Sequence, residues 1–390
     1  MEFPAIRAPQ SVGGRLKKFS PQFTNGPSAR AVKNMVFEQI SGSQSNPCEA
    51  FEQIVFCNDV KTGLKAIIGV HSTALGPAVG GCRMWGYAHE SEALTDVLRL
   101  SRGMTYKAAI SGLNWGGGKA VIMGDAKTAK TPELLERFGE FVDRLGGTYV
   151  TAKDVGIGAD DLRLIKSRTR HVLGIEGERA SSGDPSPGTA WGVYHGMKAA
   201  ARAALGSDSL KGLTIAMQGL GSVSYYLVDH LVKEGARVIG CDVDPAAIER
   251  AQKTYGIQTV RPDAIYDVEC DIFSPNALGA SINPETLPRI RAKIIAGAAN
   301  NQLSTPEMGV EVLKRGMVYA PDYAINAGGL MNIYHESEVT GGYVRERAFD
   351  HIAGIGITIS KILERARDEK LPTSVVADRM AEERVLRGKI

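Results

Sequence analysis

At 390 residues the chain is long enough for two domains, each with its own core, and its 43% hydrophobic and 23% charged content is that of an ordinary globular protein. No apolar run approaches the length of a membrane span, and a net charge of +3 is too small for a nucleic-acid footprint. The five cysteines, odd in number and without a CxxC pair, exclude a disulfide framework and a zinc site and point to a reducing cytoplasm.

The chain opens on a basic segment. Residues 1–37 carry six Lys or Arg against Glu2 alone, a net of +5 that leaves −2 for the remainder. Pro, Ser, Gly, Asn and Gln are abundant as far as residue 48, so 1–48 is expected to be a flexible arm. A transit peptide and an upstream-extended start with Met35 as the working initiator are the alternatives. Residues 51–73 read as two strands joined by a turn at Asn58–Gly63. "SEALTDVLRLSRGMTYKAAIS" has apolar residues at helical spacing, and "AVIMGD" is a short buried strand. "TPELLERFGEFVDRL" is a helix with Thr131 as N-cap and Pro132 in first position. "GTYVTAKDVGI" is a strand running into a loop, and Asp160 and Asp161 open another helix.

After "SSGDPSPGTA" comes a long helix, "WGVYHGMKAAARAAL". A βαβ unit follows, with strand Leu213–Met217, a turn through Gly219 and Gly221, helix Tyr225–Glu234 and strand Arg237–Cys241. Asp242 stands 23 residues beyond Gly219. That is a dinucleotide fingerprint: Gly219 allows the turn, Gly221 admits a pyrophosphate, and the helix N-terminus binds it. The third position is Ser224, small but not glycine. Asp242 would hold the ribose hydroxyls and, with Asp244 near and no Arg immediately after the strand, repel a 2′-phosphate, favouring NAD. The chain ends in what reads as two amphipathic helices, expected to pack rather than catalyse. Alternating strands and helices make the whole an α/β fold.

Chemistry concentrates in "GMTYKAAISGLNWGGGKAVIMGD", where Lys107 and Lys119 stand among apolar residues. Such a setting lowers a lysine's pKa, and a neutral amine is a general base, whereas a charged one can hold a carboxylate. Gly116, Gly117 and Gly118 would let substrate or cofactor approach the backbone beside Lys119. Two solvated surface lysines are the plainer alternative. Asp154, where a strand meets a loop, is a catalytic candidate or a turn residue. Asn300 and Asn301 in "IIAGAANNQLS", and Asn326 in "YAPDYAINAGGLMN", follow apolar stretches at the end where open sheets bind ligands. The seven histidines show no metal spacing, and no metal is expected; His71, His195 and His335 read as packing or surface.

The segments "LGPAVGGCRM", "GMTYK", "GLNWGGGK", "TAKDVG", "SSGDPSPGTA", "GLGSVS", "IAGAANNQL" and "YAPDYAINAGG" fall in one order over about residues 50–388. Together they resemble the leucine dehydrogenase branch of the glutamate, leucine, phenylalanine and valine dehydrogenases. The resemblance implies two α/β domains: a substrate-binding and oligomerisation domain over 49–180, and a Rossmann-type NAD domain over 181–345, with helices of 346–390 packing back onto the first. It implies NAD-dependent, reversible oxidative deamination of a branched-chain L-amino acid to a 2-oxo acid and ammonia, by a cytoplasmic homo-oligomer with no nucleic-acid or membrane partner. An aromatic amino-acid dehydrogenase of the same family, and a non-catalytic NAD-binding relative, are the alternatives.

Carried onto this chain, Lys107 would bind the substrate carboxylate, Lys119 would be the low-pKa base and Asp154 would shuttle the amino-group proton. Asn301 would reach the substrate carboxylate across the cleft. Val79, Gly80, Ala152, Leu330 and Ile333 would meet the rest of the substrate. Thr189, Asn300 and Asn326, with Gly219, Gly221, Ser224 and Asp242, would hold the cofactor. The chain departs from the pattern at Lys153, where an acid is common, at Trp115, where Leu is usual, and in its arm.

Overall fold

The computed structural model describes residues 40–41, 46–177, 181–277, 279–337 and 340–388, so most of the expected arm lies outside the described residues. Where that arm was expected to end, the structure shortens it. Pro47–Glu49 form a turn of 3-10 helix, Cys48 is 6% exposed, and the Asn46 amide donates to the Glu382 carboxylate at 2.8 Å. Residues 46–48 therefore belong to the folded body. Among the described residues no helix is long and apolar enough to cross a membrane.

Two sheets organise the molecule. The first has five strands, β1 (Gln53–Asp59), β2 (Leu64–Ser72), β3 (Ala78–Trp85), β4 (Gly116–Met123) and β5 (Tyr149–Lys153), in the order β1-β2-β4-β3-β5. β1 and β4 run antiparallel to β2, while β4 and β5 run parallel to β3. The expected turn after β1 forms because the Asp59 carboxylate accepts the Thr62 N–H at 2.9 Å and Gly63 adopts φ +74°. β3 was not foreseen, since adjacent Gly80 and Gly81 interrupt the pattern by which a strand is read.

Alternation divides the sheet's faces. Leu64, Ala66, Ile68 and Val70 of β2 join Leu134, Phe138, Leu162 and Ile165 in one apolar cluster. Those partners come from α2 (Pro132–Asp143) and α3 (Ala159–Lys166). The Thr131 hydroxyl caps α2 as expected, accepting from Leu134 N–H at 3.2 Å. The opposite face carries α1 (Glu90–Ile110), whose Leu94, Val97, Leu98, Ser101 and Thr105 recur at helical spacing and are buried.

The glycine triplet of β4 serves this packing. A Cβ on Gly116, Gly117 or Gly118 would fall 1.9, 2.1 and 2.7 Å from Ser72 O, Thr105 N and Tyr149 Cδ2. The expected approach of substrate or cofactor to these glycines is thus corrected. They let α1 and the neighbouring strands close on β4, and that closeness places Lys107 of α1 beside Lys119 of β4.

The second sheet has six strands, all parallel: β6 (Thr214–Gln218), β7 (Arg237–Cys241), β8 (Gln258–Thr259), β9 (Ile272–Pro275), β10 (Ile294–Ile295) and β11 (Val318–Tyr319). Their order, β11-β10-β9-β6-β7-β8, reverses direction at β6 and β9, the doubly wound arrangement that binds ligands beyond its carboxyl ends. Its helices are α4 (Ser186–Leu205), α5 (Ser222–Glu234), α6 (Pro245–Tyr255) and α7 (Glu307–Lys314), with the short α8 (Asp322–Ile325) and α9 (Gly328–Tyr334) after β11.

The C-terminal part is three helices rather than the expected two: α10 (Arg345–Ala353), α11 (Ile355–Glu369) and α12 (Thr373–Arg387). The continuous apolar pattern hid a break at Gly354. α12 returns to α1, where the Tyr106 hydroxyl donates to Glu382 at 2.6 Å and Arg384 donates to Ala109 O at 2.9 Å, satisfying the α1 C-terminus.

Candidate active site

Lys119 and Asp154 meet at the end of the first sheet. Lys119 lies on β4, 6% exposed, and its ammonium is 2.8 Å from the Asp154 carboxylate just beyond β5. Arg83 of β3 donates to the same carboxylate at 3.1 Å and to Asp96 at 2.9 Å, and Asp96 also accepts from Tyr87 at 2.7 Å. Burial acts to raise the Asp154 pKa, but Lys119 and Arg83 outweigh it and hold the carboxyl below its ordinary value. Lys119 therefore faces a carboxylate where local sequence suggested apolar surroundings alone. The sequence reading gave Arg83 no role, although a period of two puts it on the Val79 face.

The Lys107 ammonium has a lowered pKa. Burial takes it from the usual 10.5 down to about 8, Lys119 adds to the shift, and Asp322 opposes it. Water still reaches this half-buried residue, but the protein packed around its ammonium dominates. Asp322, which sequence reasoning missed, opens α8 and accepts N–H groups from Gln302 at 3.0 Å and Tyr323 at 2.7 Å. Burial raises its pKa against those donors and Lys107. Its signal was an acid directly after Pro321, past an apolar strand.

The two adjacent asparagines are placed differently from each other. Asn300, expected at the cofactor, accepts a long 3.5 Å hydrogen bond from Lys107 and a 2.8 Å one from the Asn326 amide. Asn301, expected at the substrate carboxylate, is exposed at φ +51°. Its backbone conformation turns that side chain out of the contact that Asn300 makes. The Gly80 carbonyl accepts the Tyr149 hydroxyl at 2.7 Å, and a Cβ built on Gly80 would fall 1.8 Å from Gly118 O, so this position has no room for a side chain.

An aliphatic wall borders the lysines. Val79 lies opposite Val150 across β3 and β5, and Gly81 opposite Ala152, so Val79, Val150 and Ala152 share a face. Leu330 and Ile333, three apart on α9, pack against the cluster that holds Leu75, Val79 and Trp115. Val150, Leu75 and Leu173 complete this cluster and were not singled out from sequence. Val150 was legible by its two-residue spacing from Ala152.

The second sheet offers a dinucleotide site. Gly219 turns at φ +96° and its N–H donates to Cys241 O at 2.9 Å. Nothing lies within 4 Å of a Cβ built on Gly221, and the N-terminus of α5 has no side-chain cap, so its N–H groups can meet phosphate oxygens. The Asp242 carboxylate accepts Leu220 N–H at 2.6 Å and Asp244 N–H at 2.9 Å, which fixes it at the turn with lone pairs to spare. Local sequence showed no cation here, but Arg250 of α6 reaches Leu220 O at 3.3 Å. Ser224 is buried in the first turn of α5. Thr189, in the first turn of α4, donates to Pro185 O at 3.0 Å. Asn326 is buried, and among the described residues its Oδ1 has no partner. An unpaired buried acceptor beyond the sheet's carboxyl end suits the amide of a nicotinamide. These residues fit a dinucleotide.

Known proteins share these features. Residues 51–171 match the family model described as the dimerisation domain of Glu/Leu/Phe/Val dehydrogenases, and 243–350 match that of glutamate/leucine/phenylalanine/valine dehydrogenase. The leucine dehydrogenase of Geobacillus stearothermophilus is 52% identical over 335 residues, 86% of this chain and 90% of that protein. The L-tryptophan dehydrogenase of Nostoc punctiforme is 44% identical over 339 residues, 87% of this chain and 94% of that one. Its crystal structure superposes with a TM-score of 0.77 at 41% identity, covering 86% of this chain and 96% of its own. The hetero-hexameric glutamate dehydrogenase of Thermus thermophilus shares the fold at 21% identity, with a TM-score of 0.71 over 94% of this chain and 99% of that one. Matched by both family models and 52% identical to a leucine dehydrogenase over most of its length, the chain belongs to the glutamate/leucine/phenylalanine/valine dehydrogenase family and is an amino-acid dehydrogenase that uses a nicotinamide cofactor.

Proposed function

We propose that the chain catalyses NAD-dependent oxidative deamination of branched-chain L-amino acids, leucine, isoleucine and valine, to the 2-oxo acids and ammonia. The observation that carries this reading is the Lys119–Asp154 pair at 2.8 Å with Lys107 close by, on a chain whose Val79, Val150, Leu330 and Ile333 belong to or pack against one apolar cluster. Lys107 holds the substrate carboxylate. The Asp154 carboxylate takes a proton from the substrate ammonium, freeing the nitrogen lone pair. The dinucleotide, when bound, supplies the acceptor for the Cα hydride. Lys119 removes a proton from the water that attacks the resulting iminium carbon and releases it to solvent; Asp154 returns its proton to the carbinolamine nitrogen, and Lys119, neutral again, takes the hydroxyl proton as the carbonyl forms and ammonia leaves. Arg83 and Asp96 keep the Asp154 carboxylate oriented throughout.

The assignment of roles extends to the whole molecule. Residues 49–180 act as the substrate lobe and 181–345 as the dinucleotide lobe. The enzyme works as a cytoplasmic homo-oligomer. The family name of its first matched segment, the exposed Phe56 and Val60 of the β1 edge and turn, and five free cysteines support that reading. The aromatic alternative rests on the 44% identity to L-tryptophan dehydrogenase. Against it, Trp115 and Tyr334, edge to face at 4.9 Å, already fill space in the apolar cluster that includes Val79.

Initial rates for leucine, isoleucine, valine, phenylalanine and tryptophan, each with NAD and NADP, test the proposal. Leucine or a close aliphatic relative should lead, and a tenfold advantage for an aromatic substrate would overturn the substrate class. NAD should be preferred, because the Asp242 carboxylate repels a 2′-phosphate, and Asp242→Ala should narrow the gap. Equal use of both cofactors by the unaltered enzyme would remove Asp242 from that role.

Lys107 makes a second prediction, on pH. Its ammonium is intact below about 8 and lost above it, so a carboxylate ligand finds its partner only on the acid side. The inhibition constant of 4-methylpentanoate should be flat below that point and rise by about tenfold per pH unit above it, until bound carboxylate restores the proton. Lys107→Arg, which keeps its charge, should flatten the profile. A constant value from neutral to alkaline pH in the unaltered enzyme would assign the carboxylate to another group.

A further inference from the structure

Glu336 stands just beyond α9 and joins three separate parts of the chain. One carboxylate oxygen accepts Gly174 N–H at 2.9 Å. The other accepts Ser182 N–H at 2.6 Å and the Ser182 hydroxyl at 2.5 Å. Gly174 follows β5's neighbour, a stretch that extends the first sheet: Thr151 N–H donates to His171 O and Leu173 N–H to Thr151 O, each at 3.0 Å. That stretch adjoins the strand carrying Val150 and Ala152. Leu173 packs in the apolar cluster with Val79, Leu330 and Ile333. A Cβ on Gly174 would lie 3.5 Å from Ile333 Cδ1, so the wall and the pocket helix touch at this point. Ser182 belongs to the segment that leads from the first sheet to α4.

We infer that Glu336 is a positioning residue for substrate selection: its carboxylate ties the 171–175 wall and the segment at Ser182 to α9, and so sets the width of the aliphatic pocket. The inference rests on the reading that this pocket receives the substrate side chain. Charge-assisted hydrogen bonds to backbone N–H groups are short and directional, which suits a spacer that must hold one distance. A cavity of about 150 Å3 beside the carboxylate, lined by Val172, Gly174, Ile175 and Ser181, leaves the wall room to shift once the tie is cut. Glu336 does not belong to the catalytic group, because its oxygens are taken up by Gly174 and Ser182 and it meets none of Lys107, Lys119 or Asp154 through them.

Glu336→Gln separates the two ties. Its amide oxygen can keep Ser182, while its NH2 then opposes the Gly174 N–H, so the wall is released and the segment at Ser182 held. In the full chain, the leucine KM should rise on the order of tenfold, since small displacements in a site have large kinetic effects. The kcat/KM ratio of leucine to phenylalanine should fall on the order of tenfold, while the KM for NAD stays unchanged. Glu336→Ala should exaggerate both effects. A role in stability alone would lower Tm or the active fraction and leave the leucine KM and the substrate ratio at their original values in both variants, which overturns the inference. If the alanine variant does not fold, the glutamine variant and Ser182→Ala decide: Ser182→Ala, which removes one bond of three, should shift the ratio less than Glu336→Gln. The ranking of substrates by the unaltered enzyme tests the branched-chain reading, and the change in that ranking on substitution tests Glu336. An enzyme that prefers phenylalanine yet changes its ratio in Glu336→Gln would lose the first and keep the second.

Discussion

Lys119→Ala should lower kcat by roughly 10²–10⁴, the range for loss of a positioned general base. Lys119 is buried and held against Asp154 at 2.8 Å, which fixes its amine at the site. The substitution also leaves the Asp154 carboxylate with Arg83 as its ion-pair partner, and a buried carboxylate deprived of a cation is costly. A fall in Tm should therefore accompany the loss of turnover. Dinucleotide binding should survive, because Gly221 and the α5 N-terminus belong to the other sheet. Steady-state rates at saturating leucine, read beside NAD binding by fluorescence, separate these effects. Near-normal turnover would remove Lys119 from the catalytic group, whereas loss of NAD binding would show a wider collapse.

The second large effect is discrimination against glutamate. On the proposed placement, its side-chain carboxylate would meet Val79, Val150, Leu330 and Ile333, all aliphatic and none able to pair with a charge. An unpaired charge desolvated in this way costs several kcal/mol, and about 4 kcal/mol is nearly three decades in kcat/KM. Leucine should exceed glutamate by at least that factor under one set of conditions. By contrast, leucine, isoleucine and valine should overlap, because one methylene is worth only about 1–3 kcal/mol in an apolar pocket. Val79→Lys should reverse part of the ranking, raising glutamate and lowering leucine. Glutamate within tenfold of leucine in the unaltered enzyme would overturn the placement of Val79 in the side-chain pocket.

Local rules made much of the architecture legible in the chain itself. The Thr131 cap, the turn before Gly63, the buried face of α1 and the glycine turn with Asp242 beyond it all depend on residues within a few positions of one another, or on one βαβ unit. The candidates for the site were legible too, because two lysines in an apolar stretch and an aspartate at a strand end draw attention as costly placements, and the structure pairs Lys119 with Asp154. Strand β3 escaped because its paired glycines erase the alternation by which a strand is read, and the third C-terminal helix escaped because the break at Gly354 leaves the apolar pattern continuous.

What only the tertiary structure decided concerns pairs distant in sequence. What surrounds each lysine depends on the fold. Lys119 meets Asp154, brought to it by strands that pair through β3, whereas Lys107 is desolvated among residues of both sheets, with Asp322 arriving from α8. Lysine spacing along the chain carries no information about either neighbour. The Gly116–Gly118 triplet shows the same limit, since bare backbone admits a ligand or another strand equally well, and only the positions of Ser72, Thr105 and Tyr149 reveal that it admits protein. Asn300 and Asn301 are one residue apart, and a left-handed φ at Asn301 determines which of them meets Lys107. Sequence by itself determined which functional groups are present and which elements carry them. Charge state, reach and pocket shape were decided by burial and by contacts across the fold, because desolvation and Coulomb energy depend on distance in space rather than along the chain.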